Sequence, residues 1–520
     1  MIETLQKNAQ GVKVLEYSGH IRNWMALCQE LGLPTDLTRQ AREEAILIAA
    51  YKKWAGEMAM HMHGMYAFAL YDEEEDQIFC LRDCFGTKTF YYYVTEDGKL
   101  LFGTQLRKIL AQPGFKKELN REMLQLYLTL TYVAGEDTFF KGMKKLLPGR
   151  YMTFKNGQVN ITRYWKPEYH PDESKSLEQW ADEIHETVKE IMKEIKTDDE
   201  IAESFLSGGV DSAYVLAMSD AKVCNSCGYE DKRFDESGMA LETANYLGRT
   251  MNRCIFGPED YFGILPWVME NMEQPIGDAS ALVFALGCRA TAQHTKLCYS
   301  GEGADEFFGG YNMYRNAPRY GDNLKTFYVG NTNIMKEEEK QKLLKHYYEG
   351  VLPINLVKSI YEENEGLDPL AKMCDVDIQI WLEGDIYLNI EKMSTAAGLE
   401  VRMPLTDMRI FDIASRVPSK YKVNEEQNKV ALRAAAEKVL PSEIANRKKL
   451  GFIVPIRYWL ADEKYNRDVF AKFNGAGAHE FFNVEELNAL LQEYLDGNSD
   501  LWRKVWTVYT FLVWYDIYFG

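Results

Sequence analysis

The chain has 520 residues, is 46% hydrophobic and 27% charged, and carries a formal net charge of -18 at pH 7. That apolar share is enough for two cores and excludes a disordered chain, while the negative balance excludes a general nucleic-acid-binding surface. No apolar run reaches transmembrane length and the start has no signal-peptide centre; the nine cysteines, scattered from Cys28 to Cys374, read as reduced thiols of a cytoplasmic protein.

Residues 1–165 read as a β-rich domain. Gly64-Met65-Tyr66-Ala67-Phe68-Ala69-Leu70-Tyr71-Asp72 alternates bulky and small side chains as a strand of a packed sheet does, with Ile78-Phe79-Cys80-Leu81-Arg82-Asp83 as its hairpin partner. Leu100-Leu101-Phe102 and Leu147-Pro148-Gly149-Arg150-Tyr151 extend this region to a boundary near Tyr164 and Trp165. Residues 177–196 predict a helix with Trp180, Ile184, Val188 and Ile191 on one face. Strands near Phe205, Val223, Ile255 and Leu297 then alternate with helices, the pattern of a doubly wound parallel sheet, and helices dominate after Tyr311. The charged stretch 336–348 predicts a solvated helix rather than a partner site. Tyr91-Tyr92-Tyr93 and the aromatic-rich stretch 502–519 predict packing, not base stacking. Cys224-Asn225-Ser226-Cys227 is a single C-x-x-C and His61-Met62-His63 lacks a third ligand, so neither predicts a metal site.

Chemistry concentrates in two loops. Ser207-Gly208-Gly209-Val210-Asp211-Ser212 lies between a strand and a helix, where close backbone N–H groups, two hydroxyls and the positive helix end suit a pyrophosphate. Asp211 would repel phosphate unless a divalent cation sat between them, so the loop implies a nucleotide with Mg²⁺. It is not a Walker loop, because the Gly-Lys-Ser/Thr ending is absent. A second strand, Thr295-Lys296-Leu297-Cys298-Tyr299-Ser300, runs into Gly301-Glu302-Gly303-Ala304-Asp305-Glu306-Phe307-Phe308-Gly309-Gly310-Tyr311. Ligands of open parallel sheets gather at the carboxyl ends of strands, so two such loops can share a metal.

These residues resemble the asparagine synthetase group of ATP pyrophosphatases, which activate a carboxylate as its adenylate and pass it to nitrogen. The resemblance continues in order through Gly228-Tyr229-Glu230, Phe234-Asp235-Glu236-Ser237, Asp278-Ala279-Ser280, Met393-Ser394, the run from Leu399 to Asp407, Lys429, Arg433 and Arg447-Lys448-Lys449-Leu450-Gly451-Phe452. It implies ATP held by Ser207, Gly208, Gly209, Asp211, Ser212, Ser300 and Gly301, and Mg²⁺ bridged by Asp211 and Asp305. It further implies Lys449 as the cation that stabilises the charged phosphates during adenylation. Glu302 is then the general base that takes the amine proton, with Asp278 and Glu306 on the substrate side. β-Lactam synthetases carry a tyrosine where this chain has Glu302.

The N-terminal region is similar to a class II glutamine amidotransferase, an N-terminal-nucleophile fold, and departs from it. Position 2 is Ile2 where relatives place the nucleophilic cysteine, and Ser18-Gly19-His20-Ile21-Arg22-Asn23 already resembles a segment well inside that domain, with Ser18 in place of a pocket asparagine. The expectation is a degenerate glutaminase-like domain over 1–165, a ligase domain over 166–520, and no glutamine hydrolysis. Three functions stay open: asparagine synthesis from aspartate and ammonia, an amide-forming enzyme of specialised metabolism related to β-lactam synthetases and lasso-peptide cyclases, and a non-catalytic nucleotide-binding paralogue. The implied partners are a small-molecule carboxylate with ammonia or an amine, a separate glutaminase or a peptide substrate among the sources; no nucleic acid or membrane is expected, and a homodimer is compatible.

Overall fold

The computed structural model describes residues 11–196, 201–321, 324, 328–448 and 453–520. Contacts divide the chain into two compact units, Met1–Glu118 with Gly135–Glu168, and Leu119–Ala134 with Tyr169–Gly520. The segment Leu119–Ala134, inside the 1–165 region drawn from sequence, therefore belongs to the second unit. Within that unit Tyr127 and Thr510 share a hydroxyl hydrogen bond of 2.8 Å, and the Gln125 side-chain amide donates to the Val351 carbonyl at 2.6 Å.

The first unit contains strands β1 (Val12–Ile21), β2 (Gly64–Asp72), β3 (Gln77–Arg82), β4 (Tyr91–Val94), β5 (Leu100–Gly103), β6 (Lys144–Lys145), β7 (Arg150–Lys155) and β8 (Gln158–Arg163). They form a five-stranded antiparallel sheet in the order β1-β2-β3-β7-β8 and a three-stranded sheet in the order β5-β4-β6. The bulky–small alternation of β2 separates two cores. Tyr66, Phe68 and Leu70 pack with Ile46 and Leu47 of the helix Arg39–Trp54, whereas Ala67 and Ala69 face Phe90, Tyr92, Leu146 and Met152. Buried Arg82 ties the following loop, donating to the carbonyls of Gly86 at 2.8 Å and Leu146 at 2.9 Å. His61 stacks on Trp54 at 4.0 Å, a packing role rather than a ligand pair.

The second unit holds a five-stranded parallel sheet of β9 (Ala202–Phe205), β10 (Val223–Tyr229), β11 (Thr250–Phe256), β12 (Leu297–Tyr299) and β13 (Glu400–Arg402), in the order β11-β10-β9-β12-β13. Strand order reverses between β9 and β12, so the chain leaves these neighbours in opposite directions and opens a crevice beyond their carboxyl ends. The first four strands are those expected from sequence; the three-residue β13 is too short to show a period. The helix Leu177–Ile195 buries Trp180, Ile184, Val188 and Ile191, and a capping box between Ser176 and Gln179 starts it. Helices fill most of the chain after Tyr311, ending in Trp502–Tyr518, whose Trp506 and Trp514 are fully buried.

The charged stretch 336–348 departs from expectation. Its helix covers only Glu337–Leu343, and Lys340 turns inward, its ammonium bonded to the Thr129 hydroxyl at 2.7 Å and Glu337 at 2.7 Å. Burial lowers the Lys340 pKa, and these partners satisfy a cation that sequence placed in solvent.

Replacing Ile191, fully buried in the helix Leu177–Ile195, by alanine is expected to cost about 2–5 kcal/mol. Glu190→Ala on the exposed face should stay within about 0.5 kcal/mol. Thermal unfolding of the two variants checks the contrast, and equal midpoints would contradict the assigned face.

Candidate functional site

Both loops found in the sequence leave the sheet at the strand-order reversal. After β9 the chain enters the helix Val210–Met218 through Gly209, an extended N-cap. The Ser207 hydroxyl accepts from Gly209 N at 3.1 Å, and the Ser212 hydroxyl accepts from Ser207 N at 3.0 Å, so the serines fix the loop's shape. The second loop approaches backbone to backbone: a Cβ on Gly301 would lie 2.8 Å from the carbonyl carbon of Asp211 and from Ser212 N. Only glycine permits that separation.

The contact brings two carboxylates together. Lys429, 1% exposed, places its ammonium against Asp211 and 2.8 Å from Asp305. Gly310 makes room for it, since a Cβ there would collide with both Asp305 and the Lys429 side chain. Burial disfavours the Lys429 charge, but the two carboxylates outweigh it and hold its pKa above the ordinary lysine value. Lys429 itself has a left-handed backbone, φ 59°, an uncommon conformation for lysine that aims its side chain from the start of the helix Val430–Ala436.

A cavity of about 800 Å³ lies over this pair. Ser207, Gly208, Gly209, Asp211, Ser212, Asp278, Ser300, Gly301, Glu302 and Asp305 all line it, together with Lys429, Arg433, Arg447 and Lys448. Lys449 lies outside the described residues. The family model for asparagine synthase matches residues 181–516, and that for a glutamine amidotransferase domain matches residues 5–165. The chain belongs to the asparagine synthase family. It is 31% identical over 543 residues to "Asparagine synthetase [glutamine-hydrolyzing] 1" of Bacillus subtilis, covering 96% of this chain and 85% of that protein. A second Bacillus subtilis relative, "Asparagine synthetase [glutamine-hydrolyzing] 3", is 28% identical, covering 83% of this chain and 74% of its own length. "Amidase chry2" of Gibberella zeae is 25% identical, with shares of 80% and 73%. Asparagine synthetases are ATP-dependent ligases acting on a small carboxylate and ammonia or an amine.

The carboxylates of this family member suit a divalent cation. Asp211 Oδ1 is buried and makes no hydrogen bond among the described residues, and such an oxygen is satisfied by a hard cation that also meets phosphate oxygens. Asp211 and Asp305 would hold that ion. The described residues contain no cluster of three or more His, Cys, Asp or Glu side chains placed to hold a metal ion.

On the substrate side the structure places the two acids differently. Asp278 lines the cavity and accepts from Ser280 N at 3.0 Å, with burial raising its pKa. Glu306 does not line the cavity; it is 1% exposed and accepts a 2.7 Å hydrogen bond from the Tyr311 hydroxyl, which itself accepts from the Trp381 indole at 3.1 Å. Burial, reinforced by neighbouring Asp305, pushes Glu306 up to about 8. Tyr311 and Trp381 line the cavity, and the Tyr311 hydroxyl links Glu306 to it. No local sequence pattern marks Trp381 or gives Lys429 its role, because a lone residue brought in by the fold takes its chemistry from the segments it meets.

Trp381 and Ile386 come from a π-helical segment, Asp377–Ile386, a geometry that recurs at functional sites. Asp377, fully buried at its start, accepts hydrogen bonds from the hydroxyls of Tyr314 and Tyr328, yet burial dominates and raises it from 3.8 to about 7. The folded state thus binds the Asp377 proton more tightly than the unfolded state. Its contribution is complete below pH 4, declines as pH rises from about 4 to about 7, and is constant above. The stability difference between wild type and Asp377→Asn should therefore fall across that window. Thermal midpoints measured between pH 4 and 8 check this, and parallel curves would contradict it.

Proposed function

We propose that the chain is an amide-forming ligase that activates a carboxylate, aspartate in the first reading, with ATP and passes it to ammonia without hydrolysing glutamine. The observation that carries the reading is the convergence of Asp211 and Asp305 beneath a cavity also lined by Glu302.

The side chains divide the work. The loop from Ser207 to Ser212 offers amides and a helix start to the triphosphate tail, and Lys429 and Arg433 place cationic charge on the same wall. Magnesium, when bound, neutralises charge that builds on the phosphates. Lys449 is assigned by resemblance to the same electrostatic task. As a carboxylate attacks the α-phosphorus, pyrophosphate leaves and a mixed anhydride with AMP remains. Glu302 then accepts the proton that the attacking amine must lose. Its backbone is fixed by a 3.0 Å hydrogen bond from the Thr406 hydroxyl to its carbonyl oxygen. Asp278 offers an anionic contact to an amino group of the substrate.

The proposed lack of glutamine hydrolysis is supported by the thiols of the first unit. The cysteines of the first unit, Cys28, Cys80 and Cys84, are all buried, and burial raises the pKa of Cys28 and Cys80 away from the nucleophilic thiolate. No helix among the described residues is long and apolar enough to cross a membrane, which fits a cytoplasmic ligase.

Pyrophosphate release with ATP and Mg²⁺ tests the function. Aspartate with ammonium should stimulate it and glutamine should not replace ammonium; activity only with a peptide, or with an acid bearing its own amine, would move the assignment to the β-lactam synthetase and cyclase type. Asp211→Ala should lower release by at least a hundredfold, and retained turnover would refute the site. Glu302→Gln should reduce amide formation far more than adenylation, measured as exchange of labelled pyrophosphate into ATP, whereas equal loss of both would remove Glu302 from its role as base.

A further inference from the structure

Of the nine free cysteines, seven are buried and two, Cys227 and Cys254, are partly exposed. These two are neighbours in the sheet: β10 and β11 run parallel with Cys227 in register with Cys254. Registered residues on adjacent strands project from the same face, and strands lie about 4.8 Å apart. That spacing falls within the Cα separation of roughly 4.4–6.8 Å that a disulfide spans.

Cys227 has a second property that Cys254 lacks: it lines the cavity. Its sulfur sits beside the helix Ser280–Thr291, 4.0 Å from the Val283 carbonyl oxygen, and a Cβ on Gly287 would come within 2.7 Å of it. The wall is therefore tightly packed around the thiol, and a sulfur drawn toward β11 or enlarged by an adduct changes the cavity's shape. The C-x-x-C partner cannot do this, because Cys224 is buried, three residues away on the opposite face of β10, and directs its thiol to the Thr250 carbonyl.

We propose that Cys227 and Cys254 form an oxidation site in the cavity wall, which a peroxide converts to a cross-strand disulfide. Cys227 as thiolate attacks one peroxide oxygen, giving a sulfenic acid and releasing water or an alcohol. Cys254 then attacks that sulfur, forming the S–S bond and releasing a second water; two thiols lose two electrons and the peroxide gains them. Burial holds both thiols protonated, with Cys254 adding to the effect on Cys227, so the first step is slow at neutral pH and accelerates as pH rises. Nucleotide in the cavity shields Cys227; this part rests on the proposed function, while the disulfide itself does not.

The test is peptide mapping of the full chain after hydrogen peroxide at pH 8.5. A peptide pair joined through Cys227 and Cys254, lost on reduction, is the expected result. In Cys254→Ser a dimedone adduct should instead collect on Cys227, and Cys227→Ser should give neither product. Absence of the joined pair, or joined pairs spread evenly over the buried cysteines, would overturn the proposal. A parallel sample with Mg²⁺ and ATP should oxidise at least threefold more slowly. A joined pair that forms at the same rate with and without nucleotide supports the oxidation site and counts against the placement of nucleotide beside Cys227.

Discussion

Two carboxylates that repel each other are held on either side of one buried ammonium, and the second unit is built around that arrangement. Asp211 and Asp305 sit in the first turns of two helices far apart in sequence, Val210–Met218 and Ala304–Phe308, and both contact Lys429. A buried cation with one partner removed is costly, so the loops, the helix that carries Lys429 and the glycines that admit it depend on one another. Gly301 lets the loops touch and Gly310 lets the lysine enter. Neither could carry a side chain without moving a charged group.

The sheet explains why the arrangement occurs where it does. Reversal of strand order between β9 and β12 leaves the carboxyl ends of adjacent strands without a covering connection. The helix Val210–Met218 starts at that opening, so a phosphate bound there, as proposed, would meet the two carboxylates and need cations to reconcile the charges. Lys429 supplies one such charge, and a divalent ion is the natural second.

Much of this architecture was legible in the sequence because it is local. The bulky–small alternation of β2 reports a sheet between two cores, the spacing of Trp180, Ile184, Val188 and Ile191 reports a helix face, and the two Gly- and acid-rich loops report their own position after strands. What stayed hidden is long-range. Lys340 reads as a solvated charge until Thr129 arrives from another segment, and no local pattern marks the hydrogen bonds that join Glu306, Tyr311 and Trp381. Segment Leu119–Ala134 joins the second unit through Tyr127 and Gln125, contacts that composition does not announce. Lys429 is the clearest case, since its chemistry comes entirely from the carboxylates the fold brings to it.

The central claim is that Asp211 and Asp305 together hold the metal of a metal–nucleotide complex. Diffraction from crystals soaked with Mn²⁺ and a non-hydrolysable ATP analogue, recorded at the manganese edge, tests it most directly. The account predicts an anomalous peak within about 2.2 Å of an oxygen from each carboxylate. A peak on only one of them, or nucleotide bound with its metal elsewhere in the cavity, would contradict it.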